Sequence, residues 1–237
     1  MTEELFREDA YLKQSEAHIT AVDENGIQLD RTIFYAMGGG QPGDIGTLTS
    51  ESGDVIEITD TRKADDGLGI VHLTEHPLSD TMIGQRVRCE IDWSRRHRLM
   101  RVHTLLHLLC SLIPAGVTGG SVRDGSGRLD FDLPESNLDK EQLTADLNRL
   151  IEEDHPVKAL WITDEEMDAQ PELVRTMSVS PPRGSGKVRL LEIDGVDLQP
   201  CGGTHVARTS EIGPVRVKKI EKKGKHNRRV TVELVDH

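Results

Sequence analysis

The chain has 237 residues, 30% of them charged, and a formal net charge of −12 at pH 7. This length allows one large or two small domains, and the acidic balance argues against generic nucleic-acid affinity. The three cysteines are an odd count, which provides no disulfide framework and fits a reducing compartment. The acidic N-terminus is unlike a signal peptide and no apolar run is long enough for a membrane span, so we expect a cytoplasmic protein.

Residues 1–85 are predicted to form an all-β domain. Short alternating runs at 18–22, 27–29 and 55–58 are separated by turn-forming pairs such as Ser52-Gly53. Short strands at this spacing are typical of a small β-barrel, which is the fold predicted for this part of the chain.

A glycine-rich segment, Gly38-Gly39-Gly40-Gln41-Pro42-Gly43-Asp44, interrupts these predicted strands. It contains too many glycines for a strand interior or a helix. Three successive glycines can expose backbone N–H groups to a ligand, and Gln41 is expected at the tip of this segment as a polar contact. A tight turn followed by a flexible loop explains the same composition, so both interpretations stay open.

Residues 86–237 are predicted to form an α+β core. The patterns indicate strands at 86–91, 127–133, 156–162, 188–193, 213–220 and 229–235, helices at 94–113 and 138–153, and a loop at 180–186. Ser94 and Asp139 are the predicted helix N-caps. Such an element order favours a sheet with helices on one face. No Gly-x-x-x-x-Gly-Lys phosphate-binding loop occurs, so no ATP site is predicted.

Two residue pairs, each with a spacing of four, suggest a metal site. His103 and His107 lie one turn apart on one face of the first predicted helix, and Cys201 and His205 follow a predicted loop. Tetrahedral zinc takes this mixture of nitrogen and sulfur ligands. Leucines stand between the histidines where the two-histidine motif of metalloproteases carries a glutamate, so peptidase activity is not expected. The spacing leaves open whether the site is structural or catalytic.

Basic residues cluster beside both halves of this predicted site. The clusters consist of Arg95, Arg96, Arg98 and Arg101 near the histidines, and of Arg216, Lys218, Lys219, Lys222, Lys223, Lys225, Arg228 and Arg229 near the C-terminus. Together they could form one positive surface that guides a polyanion to the ion, which favours RNA. Two separate solvated faces explain each cluster when it is taken alone.

In combination these motifs resemble a known family. His103–His107 with Cys201–His205, the following Thr209–Gly213 and the segment Gly38–Asp44 are similar to the editing domain of alanyl-tRNA synthetase, and above all to its free-standing relatives, the AlaX-type trans-editing proteins. The resemblance covers nearly the whole chain, since larger members carry a small β-barrel domain ahead of the editing core. Ala36-Met37 departs from the pattern, because a proline-containing pair is expected before the glycines.

The resemblance implies a zinc-dependent hydrolase that cleaves the ester of tRNA(Ala) mischarged with serine, or secondarily with glycine, and acts as a stand-alone editor. Zinc would be held by His103, His107, Cys201 and His205, with His205 expected to be the mobile ligand. Thr104 and Thr204 are candidates for contacting the seryl hydroxyl, although each could equally bond its own backbone. The residues expected to contact tRNA are Gly38, Gly39, Gly40, Gln41, Arg98, Arg101, Lys218, Lys219, Lys222, Lys223, Arg228 and Arg229.

Two other functions fit the same residues. One is a non-catalytic RNA-binding module whose zinc is purely structural. The other is a zinc hydrolase of a different small ester, which the basic C-terminal segment disfavours. Salt dependence separates an RNA substrate from a small neutral one, because only RNA binding weakens strongly as salt rises.

Overall fold

The computed structural model of the chain describes residues 2–24, 26–65, 67, 69–76, 78–134, 137–175 and 186–235. These residues form an α+β protein dominated by sheets, with three α-helices. The chain divides into two compact units, Met1–His97 and Arg98–His237. This division lies within the first helix, whereas the sequence analysis places its boundary before Arg86. The predicted loop at 180–186 lies outside the described residues except for Gly186.

The regular elements are numbered in chain order. The strands are β1 (Glu3–Glu4), β2 (Gln14–Val22), β3 (Gly26–Leu29), β4 (Arg31–Thr32), β5 (Gly46–Ser50), β6 (Val55–Ile58), β7 (Asp60–Lys63), β8 (Ile70–Leu73), β9 (Arg86–Ile91), β10 (Val117–Arg123), β11 (Ser126–Asp132), β12 (Val157–Thr163), β13 (Lys187–Ile193), β14 (Asp197–Pro200), β15 (Val215–Lys223) and β16 (Asn227–Leu234). The helices are α1 (Trp93–Leu112), α2 (Lys140–Glu152) and α3 (Asp164–Asp168). Among the described residues, no helix is long and apolar enough to cross a membrane.

The sheet of the first unit is open. Its seven strands pair in the order β6-β5-β9-β2-β3-β8-β7, and β1 pairs separately with β4. Because β6 and β7 lie at opposite ends of this order, the pairings within the described part of the chain do not close, and the predicted N-terminal barrel is wrong. Strand spacing cannot reveal closure, which depends on whether the two terminal strands pair. Strand β9, predicted to lead into the second domain, pairs with β5 and β2 inside this sheet.

A buried ion pair ends the glycine-rich segment. The Nε atom of Arg96 donates to the two carboxylate oxygens of Asp44 at 3.0 and 2.8 Å, and the other guanidinium nitrogens donate to the carbonyls of Ala10 and Ile33. The backbone N–H of Tyr35 also donates to Asp44, at 2.6 Å. Both charged side chains are at most 2% exposed. Removing either partner would therefore leave a buried charge uncompensated, and Arg96 does not belong to the predicted basic surface.

The successive glycines form a tight turn. Gly38 and Gln41 exchange two backbone hydrogen bonds of 3.1 and 2.9 Å, and the φ angles of Gly39 and Gly40 between them are 55° and 80°. This left-handed backbone favours glycine. Gln41 is only 1% exposed, so its predicted position at the tip is wrong, and Gly39 and Gly40 form the exposed tip instead.

The second unit contains two sheets, with strand orders β10-β11-β16-β15 and β12-β13-β14. Helix α2 covers the edge strand β15: the Asn148 amide exchanges hydrogen bonds of 2.9 and 3.0 Å with the backbone of Val215, and the Thr144 hydroxyl accepts from the backbone N–H of Val217. Side chains of α2 thus form hydrogen bonds with backbone groups of β15 that would otherwise be unpaired at the edge of the sheet. The predicted cap of α2 is confirmed, since Asp139 accepts from the backbone N–H of Gln142.

Helix α1 begins one residue earlier than predicted, at Trp93, and Asp92 rather than Ser94 accepts the capping hydrogen bond from Arg95. Its apolar face is buried as predicted. The helix packs closely on β11, because a Cβ atom at Gly127 would lie 2.8 Å from the Val102 side chain and 3.2 Å from the Leu106 side chain.

His72 is completely buried in the first unit. Its Nδ1 atom lies 3.1 Å from the carbonyl oxygen of Ile27, which can only accept, so Nδ1 carries the proton. Its Nε2 atom then accepts from the Thr32 hydroxyl at 2.8 Å, and that hydroxyl accepts from the backbone N–H of Phe34. Burial lowers the pKa of His72 to about 4, against the raising effect of the bond to Ile27.

This lowered pKa makes stability dependent on pH. Between about pH 6.5 and pH 4 the unfolded chain protonates His72 and the folded chain does not, so the free energy of unfolding falls as pH falls through this window. The contribution is about 3 kcal/mol. The variant His72→Gln lacks this titrating group. The difference in the free energy of unfolding between the wild type and the variant should therefore shrink by about 3 kcal/mol from pH 7 to pH 4.

The measurement is urea unfolding followed by the fluorescence of Trp93, with Trp161→Phe in every protein so that only the first unit reports. Substitution of the exposed His76 by Gln is the matched control. A stability difference between wild type and His72→Gln that does not change with pH would contradict the assignment.

Candidate metal centre

The structure brings together the four side chains that the sequence analysis paired by spacing. His103, His107, Cys201 and His205 each offer one ligand atom, and these atoms all lie within 4.8 Å of one another. Both histidines of α1 and the residues that follow β14 contribute, so the predicted convergence of an early helix with a late loop is confirmed. The four residues could hold a metal ion.

The cluster is compact and largely shielded from solvent. The Cys201 Sγ atom lies 3.1 Å from Nε2 of His205 and 3.6 Å from Nε2 of His103. The ring centroids of His103 and His205 are 4.3 Å apart. The three histidines are 6–7% exposed, whereas Cys201 is only partly buried.

The protonation states of the cluster suit metal binding at two of its positions. Burial raises the pKa of the Cys201 thiol, but its interactions with the neighbouring histidines, that with His103 first, outweigh burial and hold this pKa well below its usual value. Burial keeps the pKa of His205 well below its usual value. Cys201 is therefore a thiolate and His205 a neutral imidazole, the forms in which these residues act as ligands.

His107 has an acidic partner that sequence reasoning missed. Its Nδ1 atom lies 2.9 Å from the Asp197 carboxylate, which is 4% exposed and also accepts from the Gln199 amide at 2.7 Å. Burial alone lowers the pKa of His107, but hydrogen bonds to Asp197 and Cys201 raise it to about 10. Donation from Nδ1 to Asp197 fixes the ring, and a metal ion at Nε2 would replace the proton that the raised pKa keeps on this atom. Asp197 lies four residues before Cys201 on a strand, and no spacing rule marks it.

Thr104 has the corresponding role beside His205. Its hydroxyl is completely buried and donates to the carbonyl of Met100 at 3.0 Å. The same hydroxyl oxygen lies 3.2 Å from Nδ1 of His205 and 3.3 Å from the backbone nitrogen of Val206, and it can accept a hydrogen bond from each. One donor and two acceptor sites are all that a hydroxyl offers. These contacts favour the alternative in which Thr104 bonds its surroundings. Its predicted contact with a seryl hydroxyl stays a prediction.

Thr204, the other predicted specificity residue, is also completely buried. The loop that contains it is held from one side by Arg189, whose guanidinium donates to the carbonyls of Cys201 at 2.7 Å and Gly203 at 3.1 Å. The backbone N–H of Cys201 donates to the carbonyl of Arg189 at 3.1 Å. Arg189 thereby fixes the segment that carries two of the four ligands.

Arg98 and Arg101, predicted to contact tRNA, have partners within the second unit. The Arg98 guanidinium donates to Asp124 at 2.7 Å, and the Nε atom of Arg101 donates to the carbonyl of Ile212 at 2.9 Å. These contacts do not exclude binding to tRNA, because an exposed ion pair such as that of Arg98 is weak and can exchange partners. The contact of both arginines with tRNA stays a prediction.

The β15–β16 hairpin carries the other predicted tRNA contacts. Its ion pairs are Lys218 with Glu233, Lys219 and Lys223 with Glu221, and Arg229 with Asp130; Arg228 donates to the carbonyls of Asn227 and Pro134. The hydrogen bond from Arg229 lowers the pKa of Asp130, so this pair is firmly charged. Lys222, Lys223 and Lys225 are exposed around the turn, which makes the tip of this hairpin the more accessible cationic region.

Two family models match parts of the chain. The threonyl and alanyl tRNA synthetase second additional domain matches residues 188–231, which include Cys201, His205 and most of the basic hairpin. The class II (A) tRNA synthetase model matches residues 6–95, which include the glycine-rich segment.

Curated relatives cover the full length. The alanyl-tRNA editing protein AlaX-M of Methanosarcina acetivorans is 35% identical over 245 residues, which cover 100% of both chains. The chain belongs to the AlaX-M family of alanyl-tRNA editing proteins. The AlaX-M protein of Saccharolobus solfataricus is 35% identical over 97% of this chain and 98% of its own. The alanine–tRNA ligase of Saccharolobus islandicus is 35% identical over 93% of this chain, which corresponds to 25% of the ligase.

The contact between Asp197 and His107 predicts a measurable effect on metal affinity in this AlaX-M family member. Asp197→Asn removes the carboxylate that orients the ring, and we expect the affinity for Zn²⁺ to fall about 10- to 100-fold. Competition with a chromophoric chelator measures it. Asp194→Asn, at an exposed position on the turn before β14, is the matched control. Equal affinities for wild type and Asp197→Asn would show that the carboxylate does not support the ligand.

Proposed function

We propose that this protein is a trans-editing hydrolase, which cleaves the aminoacyl ester of tRNA(Ala) mischarged with serine and uses a zinc ion held by His103, His107, Cys201 and His205. The observation that carries this proposal is the buried cluster of these four side chains in a chain whose full-length relatives are named alanyl-tRNA editing proteins.

The donor set fits zinc. Three imidazole nitrogens and one thiolate are ligands that zinc binds tetrahedrally, at distances that place neighbouring ligand atoms about 3.5 Å apart. The observed limit of 4.8 Å leaves only a small contraction. Zinc would need an open coordination position here, through expanded coordination or release of one of the four side chains, and would then supply a Lewis acid and lower the pKa of a bound water to about 7.

The side chains around the cluster hold the ligands in their binding orientation. Asp197 and Thr104 accept the Nδ1 protons of His107 and His205, so both rings present Nε2 to the centre. His205 is buried and held by Thr104. These contacts differ from the expectation that His205 is the mobile ligand.

Specificity for serine over alanine requires a polar contact with the seryl hydroxyl. A buried group that bonds this hydroxyl is left unpaired when alanine is bound, and such a loss discriminates more strongly than a missing methylene group does. Thr204, which is completely buried beside His205, is the second predicted candidate for this contact. The cationic hairpin around Lys222 and Lys223 would attract the RNA backbone.

The decisive experiment compares deacylation of seryl-tRNA(Ala) and alanyl-tRNA(Ala) by the wild type and by Cys201→Ala, with bound zinc quantified in each protein. We expect the wild type to cleave the seryl ester at least about 100-fold faster than the alanyl ester. We expect Cys201→Ala to lose both zinc and activity. Cys89→Ala, which removes a buried thiol in the first unit, is the matched control. Glycyl-tRNA(Ala) in the same assay tests the second expected substrate.

The two alternative functions give different results. A zinc-loaded wild-type protein that binds tRNA and leaves the seryl ester intact would be an RNA-binding module with a structural metal. A hydrolase of small esters would act on an aminoacyl ester without tRNA, and its KM would change little as salt rises. For a tRNA substrate, KM should rise steeply with salt.

Thr104 offers a test that separates orientation of His205 from contact with the amino acid. Because its hydroxyl bonds His205, Thr104→Val should slow hydrolysis of seryl and glycyl esters in equal proportion, by about tenfold or more, and weaken zinc binding. Thr104→Ser, which keeps the hydroxyl, is the control. Loss of seryl hydrolysis alone, with zinc affinity unchanged, would instead assign Thr104 to the seryl hydroxyl.

A further inference from the structure

A row of three residues crosses the three-stranded sheet of the second unit and ends at the metal centre. Trp161 on β12 lies directly opposite Arg189 on β13. The backbone N–H of Cys201 donates to the carbonyl of Arg189, so the β13–β14 pairing continues one residue past Pro200. Neighbouring strands are about 4.8 Å apart, which places the backbone of Trp161 about 10 Å from that of Cys201.

These three residues share one face of the sheet. Residues directly opposite each other in an antiparallel pair project to the same side, and alternate residues along a strand do so as well. By this alternation Asp197 and Gln199 lie on the face of Cys201, and Asp197 contacts His107. The other face of the sheet is covered, because Val188 and Leu190 pack against Met167. Trp161 therefore lies on the face that adjoins the metal centre.

Trp161 is unusually exposed for its type. Its exposed fraction is 48%, and it is the only aromatic residue among the large exposed hydrophobic side chains of the described chain. It lies on the edge strand of its sheet, directly opposite Arg189, and the exposed Lys187, which is paired with Thr163, lies on the same face. An exposed indole next to cationic side chains is the arrangement on which single-stranded nucleic acids stack their bases.

We propose that Trp161 stacks on a base of the unpaired 3′ end of the RNA substrate while the aminoacyl ester lies at the metal centre. The separation of about 10 Å is two strand spacings, so a base and the aminoacyl ester of one RNA end can lie on the same face of this sheet. Stacking on any base is sequence-tolerant, so Trp161 holds the 3′ end in place and leaves its sequence unread. This inference rests on the proposed function.

The first test uses fluorescence. The chain has two tryptophans, so Trp93→Phe leaves Trp161 as the only indole. An RNA stem-loop with the unpaired 3′ end common to tRNAs should quench its emission, and the same stem-loop with a blunt end should not. No difference between the two RNAs would overturn the proposal.

The second test uses kinetics with seryl-tRNA(Ala). Trp161→Ala should raise KM about tenfold with kcat nearly unchanged, because the loss of one stacked base weakens binding. Trp161→Phe should restore most of the affinity, since it keeps an aromatic face. Leu160→Ala, which shortens the neighbouring exposed side chain on the opposite face, is the matched control.

The outcomes separate this inference from the proposed function. If the wild type cleaves the ester and Trp161→Ala has an unchanged KM, the stacking role is wrong and the editing function stands. If the unpaired 3′ end quenches Trp161 and no ester is cleaved, the editing function fails and the stacking role stands. A change in oligomeric state of Trp161→Ala by sedimentation, without a change in RNA affinity, would make this surface an interface between copies and overturn the proposal.

Discussion

Three imidazoles and a thiolate buried at one point form the interaction on which the second unit depends. Such groups lose their hydrogen bonds to water when they are buried, and apolar neighbours cannot replace these bonds. Each ring therefore needs hydrogen-bond partners at defined positions. Asp197 and Thr104 meet this requirement for two rings, and both do so from a position that leaves Nε2 directed at the other ligands. The hydrogen bonds that offset the cost of burying these rings therefore also determine which ring nitrogen faces the centre of the cluster.

The sequence predicts the ligands well and their supporting contacts poorly, for a physical reason. The separation of His103 from His107 follows from the helical repeat, and the apolar face of α1 follows from the same period. Asp197 and His107 are 90 positions apart, and only the tertiary fold brings them together. The predicted strands and helices of the second unit lie close to observed elements, but β10, α3 and β14 are not predicted, and residues 197–200, expected to form a loop, are strand β14. Which strand pairs with which, and hence the row from Trp161 to Cys201, has no local signal.

Charged and polar residues near glycines gave the weaker predictions. The sequence predicts Arg96 as part of a basic surface and Gln41 as a polar contact at the tip of the glycine-rich segment. In the structure Arg96 is fully buried and bonds Asp44 and two carbonyl oxygens, and Gln41 is buried behind the turn of Gly39 and Gly40. The glycine-rich segment is thus fixed by a desolvated ion pair, whose partners are 52 positions apart. The predicted barrel failed similarly, since closure is a property of strand pairing alone.

Gly127 shows how a residue without functional groups can govern the spacing of ligands. The helix that carries His103 and His107 rests on β11 at a distance that only a hydrogen atom at position 127 permits. Val102 and Leu106 could each become smaller and leave a void, but a larger residue 127 would have to displace the Val102 side chain or the helix that carries it. A displaced helix would move His103 and His107 together relative to Cys201. Substitutions are therefore tolerated better on the helix side of this contact, at Val102 and Leu106, than on the strand side, at Gly127.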